Sequence, residues 1–247
     1  MNNIFLDIAA AFQFLTRLPL AWLPYRSDPL PRSAMYFPLV GLAIGATDAG
    51  IYRLLSPHLP ALMVALFVVL FSVLITGGLH EDGLADAADA FGGGNSREHM
   101  LEIMKDSRIG SYGALAIIFS VTGRTLLLAY LPSSIFIQTV ISAEVLSRWT
   151  ILPLSCALPA ARTNSSQGGR VAGKISRLSL IIATLIAFGI VSYLLHFSMW
   201  KPAVAVLVVT LLSGTYYKRR IGGITGDCFG ATIQLTLIAV YLCGVWR

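Results

Sequence analysis

Charge is scarce in this chain. Asp, Glu, Lys and Arg make up 12% of its 247 residues, about half the share of an ordinary soluble domain, and no long polar region interrupts the rest. That excludes a water-soluble globule. The three cysteines, Cys156, Cys228 and Cys243, share no ligand spacing, which leaves neither a disulfide framework nor a zinc signature. The histidines are scattered at 58, 80, 99 and 196. There is no Walker loop, no Ser-His-Asp order, no internal repeat and no low-complexity tract.

What remains is apolar. Hydrophobic residues reach 56% and the mean hydropathy is +0.75, values of an integral membrane protein. Seven stretches are predicted to span a membrane, at 34–54, 61–79, 112–131, 135–158, 178–196, 202–217 and 230–246. The opening segment, 4–23, carries Asp7 and Arg17 and reads as an interfacial helix, or as an eighth span. It lacks the positive start and small-residue cleavage site of a signal peptide. The expected architecture is therefore all-α, a polytopic membrane helix bundle forming a single domain over 1–247.

Thirteen of the eighteen basic residues fall before 34 and in 80–111, 159–177 and 218–229. With seven spans, all four stretches reach one side, which the positive-inside rule makes cytoplasmic. The formal charge of +6 belongs mostly to that face, which suits anionic lipid headgroups or an anionic substrate.

The acids are concentrated on the same side. Seven of the twelve lie between Glu81 and Asp106. If 76–94 is helical, Asp82, Asp86 and Asp89 have i, i+4, i+7 spacing and share an arc of about 60°. Like charges so placed repel, and a hard divalent cation such as Mg²⁺ relieves them; a solvated acidic helix is the plainer alternative. Downstream, Lys105, Asp106 and Arg108 form a basic-acidic-basic group suited to a phosphate and its metal, or an exposed, locally paired helix end. Asp227 sits among four glycines after Lys218-Arg219-Arg220, at the start of a membrane helix. Arg162, Arg170, Lys174 and Arg177, with the small polar residues 164–169, make either a positive-inside loop or a phosphate-steering group. Arg17 and the segment 37–41 stand at a helix entrance where they could line the same site. Inside the spans, Glu144 and Arg148 are expected to pair, leaving Asp48 and Arg124 as interhelical partners or cavity groups. Together these groups suggest metal-assisted phosphoryl chemistry at a membrane surface.

The motifs Phe14-Leu15-Thr16-Arg17-Leu18-Pro19, Phe37-Pro38-Leu39-Val40-Gly41, Gly77-Gly78-Leu79-His80-Glu81-Asp82-Gly83-Leu84-Ala85-Asp86-Ala87-Ala88-Asp89, Met104-Lys105-Asp106-Ser107-Arg108 and Thr225-Gly226-Asp227 occur in this order. In them the chain resembles the cobalamin synthases, the adenosylcobinamide-GDP ribazoletransferases. The resemblance implies a bacterial inner-membrane enzyme of late cobalamin biosynthesis, with its active site on the cytoplasmic face. In that reaction a ribose hydroxyl of α-ribazole, or of its 5′-phosphate, attacks the cobinamide-side phosphorus of adenosylcobinamide-GDP and GMP leaves. It implies Mg²⁺ as cofactor, with Asp82, Asp86 and Asp89 as ligands, Asp106 and Asp227 as further ligands or a base, and Lys105 and Arg108 on the diphosphate. Membrane lipid is an expected partner, and a homo-oligomer or an association with other late cobalamin enzymes is compatible; nucleic acid is not expected. In many family members glycine follows the third Asp directly, whereas here Ala90 and Phe91 intervene, so the turn after Asp89 is expected to differ.

Two rivals fit less well. A CDP-alcohol phosphotransferase needs Arg after Asp-Gly-x-x-Ala and a second Asp-bearing half; here Asp86 follows Ala85 and that half is missing. A transporter concentrates its decisive charges near the midplane, not at one edge.

Overall fold

The structure, a computed structural model, describes residues 4–20, 30–162 and 171–246. Among them only helices and one isolated β-bridge occur. A 12-residue apolar helix, α1 (Ile4–Leu15), leads to the short α2 (Leu30–Ser33), and Asp7 ties the two together through Arg32 at 2.7 Å. The long helices follow: α3 (Phe37–Leu55), α4 (Ala61–Thr76), α5 (Leu79–Gly93), α6 (Arg97–Ile103) and α7 (Ser111–Tyr130). Then come α8 (Phe136–Trp149), α9 (Ile151–Ala157), α10 (Arg177–Leu195), α11 (Trp200–Ile221) and α12 (Gly226–Val245).

Four helical segments are long and apolar enough to cross a membrane, Leu30–Leu55, Ser111–Tyr130, Arg177–Leu195 and Gly226–Val245, or five if α4 and α5 count as one bent span. This is fewer than the seven stretches expected, for local reasons. The stretch 61–79 is cut short because Gly77 and Gly78 both adopt left-handed backbone (φ 65° and 69°), turning α5 88° away from α4. The stretch 135–158 is divided into α8 and α9. In α11 the apolar run stops at Leu212, and Ser213, Gly214, Thr215 and two tyrosines precede the basic end.

α8 and α12 form the interior: nearly all of α8 is buried, and 61% of the α12 span is, against 22% for α7 and for α10. Exposed Leu115, Ile118, Phe119, Ile181, Leu185, Leu211 and Leu212 on α7, α10 and α11 give the bundle an apolar exterior, stable only against lipid. Inside, small residues permit close crossings, as in membrane bundles generally. A Cβ on Gly45 of α3 would lie 2.7 Å from the Ile141 Cα of α8, and one on Gly41 would meet the same helix at Val145. Phe14 stacks on Phe37 at 5.5 Å, seating α1 against the start of α3.

Two buried polar clusters hold the interior. Arg148 pairs with Glu144 on α8, as their spacing predicts, and the Ser72 hydroxyl contacts Glu144 at 3.3 Å and Asp48 at 3.4 Å. The second cluster joins α5, α7 and α12. Glu81 accepts from Arg124 at 2.7 Å and from Gln234 at 3.0 Å, and Gln234 accepts from Ser120 at 2.9 Å. Arg124 is thus the partner of an acid in the Asp-rich stretch. The two ion pairs offset charge that would otherwise be costly in an apolar interior, while one oxygen each of Asp48 and Glu81 has no hydrogen-bond partner among the described residues.

Candidate active site at one end of the bundle

The helix expected over the acidic stretch is present as α5, so Asp82, Asp86 and Asp89 do share a stripe. What brings a distant acid to them is a contact between two glycines. Gly83 of α5 and Gly230 of α12 meet back to back: a Cβ on Gly83 would lie 3.0 Å from the Asp227 carbonyl oxygen, and one on Gly230 would lie 3.1 Å from the Gly83 Cα. Only residues without a side chain allow this approach. It sets Asp227, in the first turn of α12, beside Asp82 and Asp86, while the Thr225 hydroxyl caps that helix from the Cys228 N–H at 3.4 Å.

The neighbouring loops are fastened by a short parallel pairing. Ile224 N–H donates to Pro159 at 2.9 Å, and Ala161 N–H to Ile224 at 2.9 Å. This pairing carries Arg162 to within 3.8 Å of Asp227. Three arginines then close helix ends by donating to last-turn carbonyls: Arg97 to Ile221 at 2.9 Å, Arg162 to Leu101 at 3.0 Å and Arg220 to Phe91 at 3.0 Å.

A cavity of about 310 Å³ opens here between the end of α1, the α4–α5 corner and the start of α12. Arg17, Thr76, His80, Asp82 and Asp227 line it. Of the expected helix-entrance residues, Arg17 is at this cavity, whereas Phe37 is buried against Phe14. Asp86, one helical turn beyond Asp82, is pushed up to about 7 by burial and by the carboxylates of Asp227, Asp82 and Asp89; Arg162 opposes the shift. Burial, with Arg148 and Arg124 nearby, holds the His80 imidazole in its neutral form. Asp82, Asp86 and Asp227 are thus close enough to raise the Asp86 carboxyl, with Arg17 at the cavity and Arg162 beside Asp227 as the cations near them. Among the described residues no three His, Cys, Asp or Glu side chains close into a metal cage. The donor set fits Mg²⁺ of the kind held by one or two carboxylates and completed by water and substrate phosphate.

The remaining expected residues lie elsewhere. Both oxygens of Asp89 are engaged at the start of α7, accepting from Gly110 N–H at 2.7 Å and Gly113 N–H at 2.8 Å. α5 continues past Asp89 to Gly93, so no turn follows it directly. Asp106 pairs with Arg108 at 2.6 Å, which holds the Asp106 carboxyl down at about 2. Asp89, Asp106 and Arg108 border a second hollow of about 440 Å³. Lys105 is exposed after α6 and borders neither cavity. Arg170 and residues 164–169 lie outside the described residues. Arg162 was legible only as one base among four in its loop; its sequence position does not say that it faces Asp227.

Asp89 is therefore expected to act mainly as a helix cap. Asp89→Asn keeps one acceptor oxygen, and should lose about 1.5 kcal/mol of stability with the half-saturating Mg²⁺ concentration unchanged. A tenfold rise in the Mg²⁺ requirement would identify Asp89 as a ligand instead.

Helices exposing apolar surface, buried ion pairs between them and an acid-rich cavity at one end define a polytopic α-helical membrane protein with a polar site at its edge. The family described as cobalamin-5-phosphate synthase matches residues 7–245, and this chain belongs to it. Among its relatives are three proteins named adenosylcobinamide-GDP ribazoletransferase. The one from Azorhizobium caulinodans is 40% identical over 99% of this chain and 96% of its own length. The one from Polaromonas sp. is 38% identical over 94% of this chain and 93% of its own. The one from Vibrio cholerae is 38% identical, covering 94% and 90%. No solved structure matches the chain.

Proposed function

We propose that this chain is an adenosylcobinamide-GDP ribazoletransferase acting in late cobalamin biosynthesis, with the cavity beside Asp82 and Asp227 as its reaction site. The observation that carries the reading is the meeting of Asp82 and Asp227, from opposite halves of the sequence, at one cavity, with Asp86 one helical turn beyond Asp82 and within electrostatic reach of both. In the reaction, the hydroxyl oxygen of α-ribazole or its 5′-phosphate forms a bond to the cobinamide-side phosphorus of adenosylcobinamide-GDP. The bond from that phosphorus to the GMP oxygen breaks, GMP leaves with the electron pair, and the hydroxyl proton is released to water. Asp82, Asp86 and Asp227 would hold Mg²⁺, which when bound neutralises charge on the diphosphate. The protein's own contribution is alignment: the Gly83–Gly230 contact fixes the spacing between the carboxylates of α5 and α12. Arg162, already bonded to a carbonyl, limits repulsion at Asp227 without filling the pocket. Lys105 and Arg108 do not line this cavity, so the diphosphate contacts expected of them form no part of the reading; their charge adds to that of the chain's basic loops. The end bearing these cations is taken as the cytoplasmic face of the bacterial inner membrane.

Purified protein in lipid, supplied with adenosylcobinamide-GDP, α-ribazole and Mg²⁺, is expected to release GMP and form cobalamin in equal amounts. Absence of both products from properly inserted protein overturns the assignment.

A further inference from the structure

Arg17 differs from the arginines named above in that its guanidinium meets no hydrogen-bond partner among the described residues. Arg97, Arg162 and Arg220 donate to backbone carbonyls, Arg108 to Asp106 and Arg124 to Glu81. The guanidinium of Arg17 has no partner among the described residues, yet it lines the cavity with Asp82 and Asp227. Its place there is built. The Arg17 N–H donates to the Ile75 carbonyl in the last turn of α4 at 2.7 Å. Its side chain then crosses Gly77, where an added Cβ would lie 2.5 Å from Cγ and 2.6 Å from Nε. The left-handed corner that turns α4 into α5 thus doubles as the seat for the Arg17 stem, and a residue with a side chain at 77 would remove it.

We infer that Arg17 is a substrate-binding residue whose guanidinium takes the diphosphate oxygens facing away from the carboxylates, with Gly77 as its positioning residue. The inference rests on the proposed activity and adds the cation that such a pocket needs. A diphosphate entering between Asp82 and Asp227 meets negative charge, and Arg17 is a cation that lines the same cavity. A planar guanidinium supplies two parallel N–H donors to two phosphate oxygens, a geometry an ammonium cannot reproduce. The exposure of Arg17 is then that of a ligand contact awaiting its anion.

The test uses the full chain in lipid nanodiscs. Arg17→Ala should raise KM for adenosylcobinamide-GDP by about 10- to 100-fold, the worth of one or two charge-assisted hydrogen bonds, and raise the inhibition constant of inorganic pyrophosphate in the same ratio. KM for α-ribazole should stay within about twofold, since loss of one donor pair affects only the ligand that uses it. Arg17→Lys should recover the affinity only in part. Gly77→Asn, which tolerates left-handed backbone but adds a Cβ, should reproduce the KM shift with Arg17 still present. An unchanged KM and pyrophosphate constant in Arg17→Ala, or an equal loss for both substrates, overturns the inference. If the wild type releases no GMP, the activity assignment falls. Calorimetric binding of pyrophosphate to wild type and Arg17→Ala then still decides the role of Arg17, equal affinities counting against it.

Discussion

Asp82→Asn and Asp86→Asn are each expected to lower GMP release by about 10³-fold, the scale of losing one pre-positioned electrostatic contact to the reacting group, while the protein inserts and purifies as before. For Asp86 a second effect runs in the opposite direction. Its carboxyl is raised to about 7 in the folded protein by burial and neighbouring carboxylates. The folded state therefore holds this proton more tightly than the unfolded chain. Its contribution to stability is complete below the ordinary carboxylate range, declines as pH rises toward about 7, and is gone above it. An amide at this position escapes the decline. Asp86→Asn, measured in chelator, should thus unfold at a higher temperature than wild type above pH 7 and lose that advantage near pH 4. Activity and stability moving apart is the mark of a residue kept for chemistry. Full turnover in both variants would remove Asp82 and Asp86 from the metal site.

The second large effect is on folding. Arg124→Ala leaves Glu81 charged and buried, and Glu81→Ala does the same to Arg124. Breaking such a pair from one side costs about 3–5 kcal/mol, which for a chain of this size is a fall of roughly 10 °C in thermal midpoint. The double variant Glu81→Leu with Arg124→Met should regain most of the loss, because it removes both charges and keeps the volume. Ser120 would keep its bond to the Gln234 carbonyl, but the Gln234 Nε2 donor would lose its acceptor, so recovery should stop about 1 kcal/mol short of wild type. The cost should appear in thermal unfolding of detergent-solubilised protein. Single variants as stable as wild type would mean that the pair is solvated and contributes little.

These two sites also separate what the sequence discloses from what it does not. The stripe of Asp82, Asp86 and Asp89 follows from helical spacing, and α5 carries it. The Glu144–Arg148 pair is likewise local, four residues apart on one helix. Glu81 and Arg124 pair across two helices, so no local spacing announces them. The approach of Asp227 to Asp82 depends on Gly83 meeting Gly230, a contact between positions that are unremarkable when read separately. Asp89 shows the limit most clearly. Its place on the stripe was legible, but the two amides of α7 that occupy its oxygens arrive through the fold. The span count failed at Gly77 and Gly78 because hydropathy sums side chains, whereas the break there is made by backbone angles.

The arginines that close helix ends have one more consequence. Donation to carbonyls, which carry no net charge, holds Arg97, Arg162 and Arg220 in place, while Arg97 also meets Glu98 at 3.5 Å and Arg162 meets Asp227 at 3.8 Å. Arg162 is thereby held beside Asp227 as a stationary source of positive field. Such a field draws a polyanion in from solution over roughly a Debye length, faster in dilute salt than in concentrated salt. A fixed charge so placed is expected to speed the arrival of an anion more than it tightens its binding, and association rates measured against salt would show it.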